Sequence, residues 1–113
     1  MVAVVVSQAN SCSYCVDAHS AALKMMGFPR EKILQLLDDV NSADISPAYK
    51  TLLNLAIKAT REPHKISESE FQQLRDLGYS DANFVEFISV VDLFTSFNKF
   101  LDALQVEIDF PQV

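Results

Sequence analysis

The sequence predicts an all-α protein, a compact helical bundle, and three features of its 113 residues carry that reading. Only two glycines and four prolines interrupt the chain, too few for a turn-rich sheet protein. Half of the residues are apolar, and beyond Ala9 they recur at spacings of three and four, the period of one helix face. Helix-starting and helix-stopping residues stand at the ends of those periodic runs.

Taken in order, Met1 to Ala9 is short and Val-rich, and its composition fits a buried strand as well as a buried helix. Asn10 or Ser11 can cap a helix that starts at Cys12 and runs to Met26, where Gly27 stops it. Pro29 suits the first turn of a helix from Arg30 to about Val40, with Ile33, Leu36 and Leu37 in register, and Asn41 to Ile45 is a break. Ser46 and Pro47 open the next helix, which carries Leu52, Leu53, Leu55, Ala56 and Ala59 up to about Arg61 and is ended by Pro63. Ser67 and Glu70 stand in capping-box spacing ahead of Phe71, Leu74 and Leu77, with Gly78 as the stop. Ser80 or Asp81 caps the longest helix, to about Leu104, with Phe84, Phe87, Ile88, Val91, Phe94, Phe97 and Leu101 on one side and Asp92, Thr95, Ser96, Lys99 and Asp102 on the other. The tail from Gln105 to Val113 has no helical period and is expected to lie extended over a neighbour.

The length sets one domain, residues 1–113, which buries only about two-thirds of its unfolded surface. So much apolar content on so short a chain points to a homo-oligomer. A net charge of −6 with no basic stripe argues against nucleic acid as a partner. Met1 to Val6 is too short for a membrane span or a signal sequence, so no membrane partner is expected and the location expected is cytoplasmic.

The chemistry-bearing stretch is Ser11-Cys12-Ser13-Tyr14-Cys15-Val16-Asp17-Ala18-His19. On a helix, Cys12 and Cys15 are one turn apart, as are Cys15 and His19, so the three side chains form one strip. Two thiols at a helix start can close a disulfide, and the unpaired backbone N–H groups there favour the thiolate, the form that attacks. The imidazole of His19 can accept or relay a proton near neutral pH. Two readings compete: a zinc site in which Cys12, Cys15 and His19 need His64 or another group as fourth ligand, and a chance meeting of two structural cysteines with a core histidine. His64, between Pro63 and Lys65, otherwise reads as a solvated loop residue, Met25 and Met26 as core filler or interface, and Asp92 as solvated. A thioredoxin-like fold is disfavoured because the alternating strands and helices are absent.

The stretch Val4-Val5-Val6-Ser7-Gln8-Ala9-Asn10-Ser11-Cys12-Ser13-Tyr14-Cys15-Val16-Asp17-Ala18-His19-Ser20-Ala21-Ala22-Leu23 resembles the carboxymuconolactone decarboxylase and alkylhydroperoxidase D superfamily, in its peroxidase-related branch. The likeness continues through Asp44-Ile45-Ser46-Pro47, Leu53 to Pro63, Leu74 to Asp81 and Phe97-Asn98-Lys99. It implies a helical bundle of the alkylhydroperoxidase D type, assembled as dimers, trimers or hexamers, with the hexamer favoured and the dimer next. It further implies a thiol-dependent peroxidase acting in antioxidant defence without a cofactor. Cys15 attacks a small or alkyl hydroperoxide, Cys12 resolves the sulfenic acid as a disulfide, and a thiol or lipoyl-type donor restores the dithiol.

The resemblance gives His19 the proton relay. The family's relay starts from a glutamate that would fall just before Met1, and longer members carry extra helices upstream, so the chain reads as the core half of that domain. Two expectations follow with equal weight: a substitute acid, Glu86 first and Asp92 second, from this chain or a neighbouring subunit, or water in place of the acid and a slow enzyme. The chain also departs from the pattern with Lys99 in place of Arg and Gln105 in place of Gly. Two alternatives stay open: a thiol–disulfide oxidoreductase or electron carrier without strong peroxidase activity, and a non-catalytic assembly subunit.

Overall fold

A computed structural model describes residues 1–109, and among them the chain is helical without a strand. The first segment is a helix, α1, Val2–Ala9. Val4, Val5, Val6 and Ser7 are all buried, because α1 packs against four other helices and leaves little face for solvent. A helix apolar all round has no periodicity to announce it, and burial of each valine contributes about 1.5–3 kcal/mol.

The surrounding elements are α2 (Ser13–Met25), α3 (Arg30–Asp38), α4 (Pro47–Arg61), α5 (Glu68–Asp76) and α6 (Asp81–Ala103). Single 3-10 turns follow α3 at Val40–Ser42 and α4 at Pro63–Lys65. Of these five, α2, α3, α4 and α6 lie against α1, and α5 rests on α4. The main core joins Val5 and Val6 to Leu36, Val40, Ala43, Leu53, Ala56 and Val91. A smaller cluster of Leu55, Leu74 and Phe84 fixes α5 against α4 and α6.

The expected caps at Ser46, Ser67 and Ser80 are present. Ser46 Oγ accepts from the Tyr49 amide at 3.2 Å, and Ser67 with Glu70 and Ser80 with Asn83 close capping boxes. Two expectations need correction. Met25 and Met26 are 88% and 83% exposed, so neither fills the core of this chain. On α6, Phe97 is half exposed while Asn98 is buried, so the helix is rotated to place an amide on the inner face. The tail beyond α6 is non-helical through Asp109 and lies against this chain's own α2; the remainder of the predicted tail, 110–113, is outside the described residues.

Candidate active site: a cysteine pair at the join of two helices

The site is built where α1 ends and α2 begins, with only Asn10, Ser11 and Cys12 between them. Ser11 takes φ 57°, the left-handed conformation that ends a helix. The Ser11 amide donates to the Gln8 carbonyl at 3.1 Å and the Cys12 amide to the Ser7 carbonyl at 3.0 Å, the paired bonds of a Schellman motif. Asn10 and Ser11 therefore finish α1, and the cap of α2 is Cys12 itself, contrary to the expectation that Asn10 or Ser11 would serve. Cys12 is extended at φ −88° and ψ 94°, and its Sγ accepts from the Cys15 amide at 3.4 Å. The helical strip begins at Cys15, and Cys12 reaches it from outside the helix.

Cys12 and Cys15 are joined as a disulfide with their Cα atoms 5.3 Å apart. They are 0% and 1% exposed, so both sulfurs are closed off from solvent within one chain. The tail runs beside this join. Ile108 borders a cleft with Gln8, Ser11, Ser13, Val16 and Asp17, and the Tyr14 hydroxyl donates to Asp109 at 3.5 Å.

His19 lies one turn beyond Cys15 on α2, half-buried, with its ring edge-on to Phe94 of α6 and the centroids 4.9 Å apart. Burial lowers its pKa below the ordinary value, with the positive amino terminus of Met1 adding in the same direction. The imidazole is consequently neutral near pH 7 and able to accept a proton.

The two candidate acids stand apart from it. Glu86 is exposed on α6 beside Val2, Asn83, Phe87 and Val90, and Asp92 is exposed beside Thr60, Pro63 and Ser89. Among the described residues, neither hydrogen-bonds or ion-pairs with His19, so a carboxylate partner for the ring within one chain is not among the contacts present.

Three side chains were given no role at the site by the sequence reading: Ser7, Asn98 and Asn10, the last read only as a candidate cap. Asn98 is 1% exposed; its Nδ2 donates to Ser7 Oγ at 3.0 Å, and its Oδ1 accepts from Asn10 Nδ2 at 2.9 Å. Asn10 Nδ2 also faces Thr95 Oγ1 at 3.5 Å. The available signal was register, because Asn98 lies two turns from the buried Val91 on the same face of α6.

The fourth donor that the rival metal reading needs lies apart from the other three. His64 sits on the exposed turn after α4, and among the described residues no group of three or more His, Cys, Asp and Glu side chains is arranged to hold an ion. Among the same residues, no helix is long and apolar enough to cross a membrane.

The family described as "Carboxymuconolactone decarboxylase family" matches residues 1–58, just over half of the chain and the part that holds the cysteine pair. An uncharacterized Bacillus subtilis (strain 168) protein, YdfG, is 26% identical over 106 residues, which span 92% of this chain and 71% of that protein. An uncharacterized peroxidase-related protein from Silicibacter sp. TM1040 superposes with a TM-score of 0.89 at 28% identity, over 96% of this chain and 56% of its own. A second, from Ralstonia eutropha JMP134 and described as an alkylhydroperoxidase AhpD core, gives 0.88 at 27% identity, over 96% of this chain and 57% of its own. The chain thus spans a little over half the length of those two solved structures. By the family match across its first half and the shared helical fold across nearly all of it, the chain belongs to the carboxymuconolactone decarboxylase family, within the alkylhydroperoxidase D superfamily.

Proposed function

We propose that the protein is a thiol-dependent peroxidase that reduces small or alkyl hydroperoxides through a Cys12–Cys15 dithiol cycle. The observation that carries this reading is the cysteine pair at the start of α2, with a neutral imidazole one turn on. In the disulfide form the Cys12 sulfur accepts from the Cys15 amide, and the N–H groups of the first turn favour a thiolate on the pair once it is reduced.

The cycle balances as follows. His19 takes the proton of Cys15, and the thiolate attacks the peroxide oxygen. The O–O bond breaks, an alcohol leaves with the proton that His19 returns, and Cys15 becomes a sulfenic acid. The Cys12 sulfur displaces water from it to form the disulfide. A thiol or lipoyl-type dithiol donor supplies two electrons to restore the pair.

A second reading, thiol–disulfide exchange without strong peroxidase activity, is favoured by one observation: His19 has Phe94 rather than a carboxylate as its neighbour. Exchange needs the pair and no relay. Stopped-flow reaction of the reduced protein with hydrogen peroxide and an alkyl hydroperoxide, set beside its reaction with a model disulfide, separates the two. Faster oxidation by peroxide supports the peroxidase, and oxidation by the disulfide alone supports the carrier.

A further inference from the structure

We propose that Asn98 is a positioning residue of the redox centre: its buried amide holds the turn that places Cys12 opposite Cys15, and so sets how strongly the disulfide is favoured over the dithiol. The inference rests on the redox reading of the pair given above.

Cys15 is placed by the helix that contains it, whereas Cys12 is not. Its backbone is extended, and its position depends on the five residues from Ser7 to Ser11 that close α1. Asn98 grips that turn at both ends. Its Nδ2 bonds the side chain of Ser7, whose carbonyl holds the Cys12 amide, and its Oδ1 bonds Asn10, two residues before Cys12. Both bonds span about ninety residues of sequence, so α6 contributes geometry that α1 and α2 cannot supply locally. Ser7 and Asn98 are 0% and 1% exposed, and a polar pair at that depth is retained only with its partners in place. A simple apolar contact would pack α6 on α1 equally well. The amide adds direction at the one place where the chain leaves a helix and a sulfur must be aimed.

The consequence has a sign. In exchange with glutathione, the protein dithiol and glutathione disulfide give the protein disulfide and two glutathione thiols; two electrons and two protons pass to glutathione. The equilibrium measures the effective concentration of one protein sulfur at the other. A held turn keeps that concentration high. Releasing it leaves α2 and Cys15 intact but lets Cys12 wander, which favours the dithiol.

The test is the equilibrium of the full chain with glutathione buffers, read by trapping free thiols, for wild type, Asn98→Leu, Asn10→Ala and the double variant. Asn10→Ala is expected to shift the equilibrium about tenfold towards the dithiol, the loss of roughly one buried hydrogen bond, and Asn98→Leu, which loses both bonds, at least as far. The double variant should shift it little further than the larger single, because both act through one turn. Leu74→Ala, in the smaller cluster and away from the turn, serves as a control that loses stability without moving the equilibrium. If Asn98→Leu does not fold, Asn10→Ala alone carries the test, since that side chain is only partly buried. Single variants within twofold of wild type, or an equal shift in Leu74→Ala, overturn the positioning role. A wild-type protein that never exchanges with glutathione overturns the redox reading itself, and is recognised before any variant is compared.

Discussion

The ring of His19 stands at 79° to that of Phe94, edge to face, and this aromatic neighbour occupies one side of the imidazole on α2. A ring so placed is held neutral by lost hydration, and the folded protein resists its protonation.

Stability should therefore depend on pH through His19 with a definite sign. Its folded pKa lies below the ordinary 6.5, so the unfolded chain takes up the proton first. Stability is fully present above about pH 6.5 and is lost as pH falls from there through the folded value. Urea unfolding of wild type and His19→Gln between pH 5 and 8 checks this, with part of the acid loss absent from the variant. The buried amino group of Met1 has the same sign, is common to both proteins and cancels in the difference. Parallel curves would show that His19 is not responsible.

The acid side of the relay gives a second expectation. Glu86 and Asp92 are exposed and neither hydrogen-bonds nor ion-pairs with His19 among the described residues, so in a monomer Glu86→Gln and Asp92→Asn should leave the peroxide rate within about twofold of wild type. His19→Ala should slow it by about 10² or more. An acid variant that matches the histidine loss in an oligomer would assign the carboxylate to a neighbouring subunit.

Gln105 explains one departure from the family pattern in physical terms. It occupies φ 53° just after α6, with its amide bonded to the Asp102 carbonyl at 3.1 Å and that of Val106 to Leu101 at 3.1 Å. This is the position where a glycine avoids a left-handed penalty of about 1–2 kcal/mol, partly offset by the entropy glycine loses. Gln105→Gly should stabilise the fold by about 0.5–1 kcal/mol in urea titration. A destabilised variant would mean that the glutamine side chain contributes a contact of its own.

Exposed apolar residues favour assembly. Met25, Val85, Phe100 and Leu104 are 88%, 70%, 62% and 61% exposed, more large apolar surface than an isolated chain of this size ordinarily shows to water. Light scattering at micromolar concentration should find an oligomer, a hexamer first and a dimer next. A particle of the single-chain mass, 12.6 kDa, would contradict it.

What could be read in advance follows from where the information lies. The caps at Ser46, Ser67 and Ser80 are local chemistry, and each was legible from its own few residues. The step from Cys15 to His19 is one helical turn and was equally legible. The valine run of α1 was not, because a helix buried on every side has no polar face, and only the packing of four neighbours decides it. The cap of α2 was misassigned because Ser11 closes the preceding helix, an arrangement held in place by Asn98 from far along the chain. His19 was recognised, but the ring it meets depends on how α6 crosses α2, which no local pattern encodes.

In the proposed cycle Cys15 attacks peroxide and Cys12 resolves the resulting sulfenic acid. The most direct measurement is reaction of reduced wild type, Cys12→Ser and Cys15→Ser with an alkyl hydroperoxide, followed by thiol counting and mass analysis after a dimedone-type trap. Expected are loss of two thiols and no adduct in wild type, a trapped sulfenic acid at Cys15 in Cys12→Ser, and little trapping in Cys15→Ser. Two thiols still titratable in wild type after peroxide, or trapping found mainly at Cys12, would contradict that cycle.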